Sequence, residues 1–156
     1  MQQNDELEYA GFWIRVWASI IDTILLMLIM MPILLSIYGI EYMESEEFIK
    51  GPTGFLVSWV LPAIAIIIFW IYKSATPGKM AISSKIVDAQ SGSQPTTGQF
   101  IGRYLAYFIA TLPLGLGIIW VAFDKRKQGW HDKLAGTVVV RKKNTGPERV
   151  VFENKT

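Results

Sequence analysis

Three long apolar stretches organise this chain. Residues 16–40 carry one charge, Asp22, among 25 positions; residues 51–72 carry none in 22, and residues 104–123 none in 20. A helix rises 1.5 Å per residue, so about 20 mostly apolar positions match the roughly 30 Å hydrocarbon core of a bilayer. The first stretch predicts a spanning helix over 12–38, and the second predicts another over 55–72. Phe12, Trp13 and Trp17 open the first and Tyr38 and Tyr42 close it, while Trp59, Trp70 and Tyr72 serve the second. Amphipathic rings at both ends are what membrane interfaces select. Pro32 and Pro62 fall inside these helices, where a missing N–H kinks or thins the hydrogen-bond ladder.

The third stretch, 101–123, is interrupted by Leu112-Pro113-Leu114-Gly115-Leu116-Gly117. Proline and glycine stop helix propagation, and each remaining half is about 15 Å long, half the hydrocarbon thickness. The pattern predicts a broken, re-entrant helical hairpin rather than a third crossing. Charge placement argues the same way. The loop between the first two helices holds Glu41, Glu44, Glu46 and Glu47 against Lys50, whereas the next connector holds Lys73, Lys79 and Lys85. Lysine and arginine collect on the cytoplasmic side, so the amino terminus and that connector are expected inside. The tail from Asp124 onward carries nine lysines and arginines, and a third full crossing would put them outside.

Two short runs, 82–89 and 137–141, are rich in β-branched residues. They predict a small cytoplasmic β-pair, which again needs both on one side. The expected fold is an all-α membrane protein with two spanning helices, a broken hairpin and this β-pair. A single membrane domain is expected over 1–143, followed by a flexible polar tail, 144–156. No basic segment precedes the first apolar stretch, so it reads as a retained helix rather than a cleaved signal.

Composition narrows the chemistry. The chain is 51% hydrophobic and 18% charged, with no cysteine. That excludes disulfides, thiolate metal sites and thiol nucleophiles, and a net charge of +2 gives no ground for nucleic-acid binding. No metal or cofactor is expected, and no triad, HExxH helix or GxSxG elbow specifies an enzyme.

The few charges within apolar sequence then stand out. Asp22 sits about ten positions into the first helix, where a carboxylate costs about 2.5–3.5 kcal/mol to insert. It reads either as a protonatable transport group or as a polar clamp between helices. Arg15 is seven positions earlier on the same face, about 10 Å away along the axis, so each is expected to find a partner elsewhere. The expected partners lie between Asp124 and Asp132, with an Arg15–Asp132 ion pair at the cytoplasmic interface preferred. His131 is a secondary candidate for relaying protons, and Asp124 a rival to Asp132. The basic residues Lys125, Arg126, Lys127, Arg141, Lys142 and Lys143 are expected to anchor on an anionic leaflet. Thr76-Pro77-Gly78-Lys79 lacks the first glycine and the final hydroxyl residue of a phosphate loop; it reads as an interfacial turn, with Pro77 starting a short helix.

Together these motifs resemble the RDD family of bacterial membrane proteins, which is named for one arginine and two aspartates. Ala10-Gly11-Phe12-Trp13-Ile14-Arg15-Val16 with Asp22 is similar to its front. Gly129-Trp130-His131-Asp132-Lys133-Leu134-Ala135-Gly136-Thr137 is similar to its end. The resemblance implies that Arg15, Asp22 and Asp132 are the three named positions. It also implies a multi-pass protein of the bacterial inner membrane associated with transport, most concretely cation/proton exchange. On that reading Asp22 takes a proton and a monovalent cation in turn. Two spans and a hairpin do not enclose a path, so a homo-oligomer is expected. The alternative is a non-transporting membrane adaptor or assembly factor that binds a protein partner or anionic lipid.

Overall fold

The computed structural model describes residues 7–40 and 51–143. The acidic first loop and the tail 144–156 lie outside the described residues. Strand β1 (Leu7–Tyr9) leads into helix α1 (Phe12–Tyr38), which has the predicted bounds and runs through Pro32. The next helix, α2 (Gly51–Lys73), begins four residues earlier than predicted. Its Leu56–Val60 turn is a π-helix that ends two residues before Pro62, which has no N–H to donate; such bulges accompany breaks in the regular ladder. Both helices are long and apolar enough to cross a membrane. Their side chains point mostly outward, with Met27, Leu28 and Ile29 each at least 60% exposed. Such a surface is costly in water and satisfied by lipid.

After α2 the chain turns at Ser74, in the left-handed conformation at φ 52°, and forms the short helix α3 (Pro77–Ala81). Strand β2 (Ser84–Asp88) follows, then α4 (Thr97–Thr111), which opens on a Thr96–Gln99 capping box. The Pro/Gly break falls where the sequence puts it. Leu114 and Gly115 take positive φ of 53° and 75°, and α5 (Leu116–Ala122) leaves at 114° to α4. A loop leads to α6 (Trp130–Ala135) and strand β3 (Thr137–Lys142).

The expected β-pair is present, but within a three-stranded sheet of order β1-β3-β2, so the fold is mostly helical rather than all-α. Both pairings are antiparallel, with Leu7 opposite Lys142 and Ser84 opposite Arg141. The missed strand is three residues long and could not be stable alone; β3 supplies its partner. Every helical excursion among the described residues therefore starts and ends at the sheet: α1 to α3 connect β1 to β2, and α4 to α6 connect β2 to β3. The core lies where sheet meets helices. Ala10, Trp70, Ile86, Phe100 and Val139 are buried together there, and Trp70 lies 6.0 Å from Phe100 and 6.3 Å from Tyr107, centroid to centroid.

Candidate functional site

Two polar clusters sit between the sheet and the apolar helices. The first is built on Asp132, in the first turn of α6 and fully buried. Arg15, from the first turns of α1, donates from Nη1 to Asp132 Oδ2 at 2.6 Å, so the preferred ion pair is formed. Its Nε bonds the Ala10 carbonyl at 3.0 Å, and its Nη2 bonds the Lys127 carbonyl. A second guanidinium completes the clamp. Arg103 of α4, fully buried, donates from Nη1 to Asp132 Oδ1 and to Thr137 Oγ1, the latter at 2.7 Å. The Gly129 N–H reaches Asp132 Oδ2 at 3.0 Å. Burial opposes the charge on Asp132, but Arg103 and Arg15 outweigh it and hold the carboxyl well below the usual range.

His131 lies beside this clamp, 2% exposed, with its ring stacked on Tyr107 at 3.9 Å. Neither ring nitrogen has a hydrogen-bond partner among the described residues. Burial, with the charge of Arg103 added, pushes its pKa down to about 3. Both effects favour the neutral ring.

The second cluster is built on Asp22. Its partners are not in the Asp124–Asp132 segment, as expected from sequence, but in the Thr76-Pro77-Gly78-Lys79 turn. Thr76 Oγ1 donates to Asp22 Oδ2 at 2.5 Å and the Gly78 N–H to Oδ1 at 2.6 Å. The aspartate thus caps α3, which does begin at Pro77. Glycine is required at 78 by proximity: a Cβ there would lie 2.1 Å from the Ala18 carbonyl oxygen. The same turn buries Lys79, 9% exposed, whose Nζ reaches Thr76 Oγ1 at 3.5 Å. Burial pulls the Lys79 ammonium below the ordinary lysine range; Tyr107 and Asp22 act against this, Arg103 and Arg15 with it.

Other candidates serve the fold locally. Asp124 accepts from the Arg126 and Gln128 N–H groups and pairs with Lys133 at 2.5 Å, apart from Asp132. Arg126 bonds the Ala89 carbonyl at 2.6 Å and Arg141 pairs with Glu8 across the strands, so these two are engaged in the fold. Lys127 Nζ bonds the Ala122 carbonyl at 3.1 Å, whereas Lys125, Lys142 and Lys143 stand exposed. Sequence reasoning missed Arg103 and Lys79 as site residues. The available signal was a lone basic residue next to apolar sequence, which reads equally well as an interface charge.

Two cavities flank Lys79. One, about 550 Å³, is bounded by α1, α4, α5 and α6 and reaches Arg15, Lys79, Tyr107 and His131. The other, about 530 Å³, lies between α1, α2 and α4 and reaches Asp22, Thr76, Lys79 and Tyr107.

The chain belongs to the RDD family, whose sequence profile matches residues 9–136. It is 33% identical to the uncharacterized protein YxaI of Bacillus subtilis over 149 residues, covering 85% of this chain and 97% of that protein. It is 26% identical over 141 residues to the uncharacterized membrane protein YteJ of the same organism, covering 86% of this chain and 82% of that one. An uncharacterized protein of Rickettsia prowazekii is 47% identical over 75 residues, 48% of this chain and 41% of its own length. No solved structure matches. The chain is thus an RDD-family membrane protein.

Proposed function

We propose that this protein takes part in moving an ion or small solute across the membrane, most concretely by cation/proton exchange at Asp22. The observation that carries this reading is the Asp22–Thr76–Lys79 arrangement on the wall of the 530 Å³ cavity between the two apolar helices. Thr76 Oγ1 links the carboxylate to the ammonium. The pair is electrically neutral while Lys79 holds its proton. It is neutral again when Lys79 gives that proton up and a monovalent cation sits at Asp22. Burial and the Arg103 and Arg15 charges make the release easier, and Asp22 and Tyr107 set its limit.

The topology supports a re-entrant hairpin with both termini in the cytoplasm of a bacterial cell. The α4–α5 pair departs from β2 and returns to β3, strands that are neighbours in one sheet. Its tip exposes Leu112 at 81% and Leu114 at 94%. Irregular backbone at membrane depth needs protein around it, which favours a homo-oligomer that covers the tip and encloses the path.

The test is flux. Purified protein in vesicles with an imposed pH gradient is expected to collapse that gradient when sodium or potassium is added. Asp22→Asn and Lys79→Gln are each expected to abolish the response. A parent protein without cation-dependent collapse, or one that is monomeric in mild detergent, defeats the proposal. Loss of a bound protein partner on altering Lys125, Lys142 and Lys143, with Asp22→Asn silent, would favour the adaptor reading.

A further inference from the structure

The 550 Å³ cavity shares Lys79 with the Asp22 cavity but lies on its other side, and its remaining chemistry is different. Its size is that of ligand cavities, roughly 300–1,000 Å³. At its polar end stand Arg15, Lys79 and His131. Lys79 and His131 are both more than nine-tenths buried; the ammonium has one long hydrogen bond, and the imidazole has none among the described residues, its Nε2 standing 3.5 Å from Asp132 Oδ2, which the two guanidiniums already neutralise. The surrounding charges do not balance when Lys79 is protonated. Arg15, Arg103 and Lys79 supply three positive charges against two from Asp22 and Asp132. A buried excess of one positive charge calls for an anion.

The other end of the cavity is apolar and open. Ile20, Ile24 and Ile119 line it and are 42%, 52% and 42% exposed, on the surface that the spanning helix presents to lipid. Ile24 lies nine residues beyond Arg15 on α1, about 13 Å deeper into the membrane. Positive charge near the sheet and an apolar trough running inward is how an acidic lipid lies in a bilayer, and basic pockets between helices hold such head groups.

We infer that this cavity is a binding site for an anionic phospholipid, its phosphate at Lys79 and His131 and one acyl chain along Ile20, Ile24 and Ile119. The site adjoins the Asp22 cavity through Lys79, yet it requires no transport. Lipid binding without flux would defeat the exchange proposal alone, and flux without lipid preference would defeat this one alone.

The experiment uses the full chain stripped of lipid in maltoside detergent and titrated with phosphatidylglycerol or phosphatidylcholine. Retained lipid is counted by native mass spectrometry. Phosphatidylglycerol is expected to bind at least ten-fold tighter than phosphatidylcholine. Lys79→Gln should remove most of that preference and Lys79→Arg should keep it. Ile119→Trp, which fills the trough without touching the charges, should weaken both lipids. Lys125→Gln with Lys142→Gln should change nothing. Equal binding of the two lipids overturns the inference, as does a preference lost with the surface lysines and kept in Lys79→Gln. Full displacement by millimolar inorganic phosphate, with Ile119→Trp silent, assigns the site to a free anion instead.

Discussion

Asp22 and Asp132 are the same functional group in one small protein, and their surroundings give them opposite character. Asp132 is gripped by two guanidiniums, which stay charged at any physiological pH, and by a backbone N–H. Its one titratable neighbour, His131 at 3.5 Å from Oδ2, is held neutral until well into the acid range, so near neutral pH the cluster is a fixed joint between α1, α4, α6 and β3. Asp22 is held by a hydroxyl and one backbone N–H, with a buried lysine one step further out. That shell contains a group that can lose its proton. The difference teaches that a carboxylate's partners, more than its depth, decide whether its surroundings can change charge.

The sharpest break of this comparison is Asp132→Asn. It leaves Arg103 buried without an anion, and removing one partner of a buried pair costs about 3–5 kcal/mol. Much less folded protein is expected, measured as a fall in melting temperature and monodisperse yield in detergent. A variant that melts like the parent would show that the clamp is not a joint.

Acid sharpens the comparison next. His131 has a folded pKa of about 3 against about 6.5 when free, so between those values the unfolded chain binds a proton that the folded one refuses. Stability is therefore lost as pH falls below about 6.5, by about 1.4 kcal/mol per unit, or about 2 kcal/mol between pH 7.5 and 5. Asp132 adds no slope there. Its depressed pKa gives stability that is complete above the ordinary carboxylate range and lost only well below it. Melting curves across pH 5–7.5 check this, with His131→Phe expected to keep the ring stack on Tyr107 and flatten the slope. An unchanged slope in His131→Phe would move the acid sensitivity elsewhere.

These contrasts also mark what a chain of residues reveals before it folds. The spanning helices are legible because a run of more than 20 residues with at most one charge suits a bilayer and little else, and α1 matches to the residue. The hairpin break is legible because Pro113, Gly115 and Gly117 act locally. The Arg15–Asp132 pair follows from the need of each for a partner. Hidden are the contacts whose cause is tertiary. Nothing around Leu7–Tyr9 announces a strand until β3 lies beside it, and nothing around Arg103 tells an inward arginine from one at the interface. The partners of Asp22 stand 54 and 56 residues away, one of them a backbone N–H that any residue but proline carries.

The smallest predicted structural effect belongs to Asp22→Asn. The asparagine carbonyl can accept from the Gly78 N–H while its amide donates to Thr76 Oγ1, whose hydroxyl turns from donor to acceptor. Both bonds survive in neutral form, and the loss is the charge-assisted part, about 1 kcal/mol. The variant should fold, assemble and melt only slightly below the parent, while Lys79 loses the carboxylate that favours its protonated form. Stability and flux are thus expected to separate at Asp22 and to fall together at Asp132. A loss of folding in Asp22→Asn as large as that in Asp132→Asn would erase the contrast and leave two joints in place of one joint and one switch.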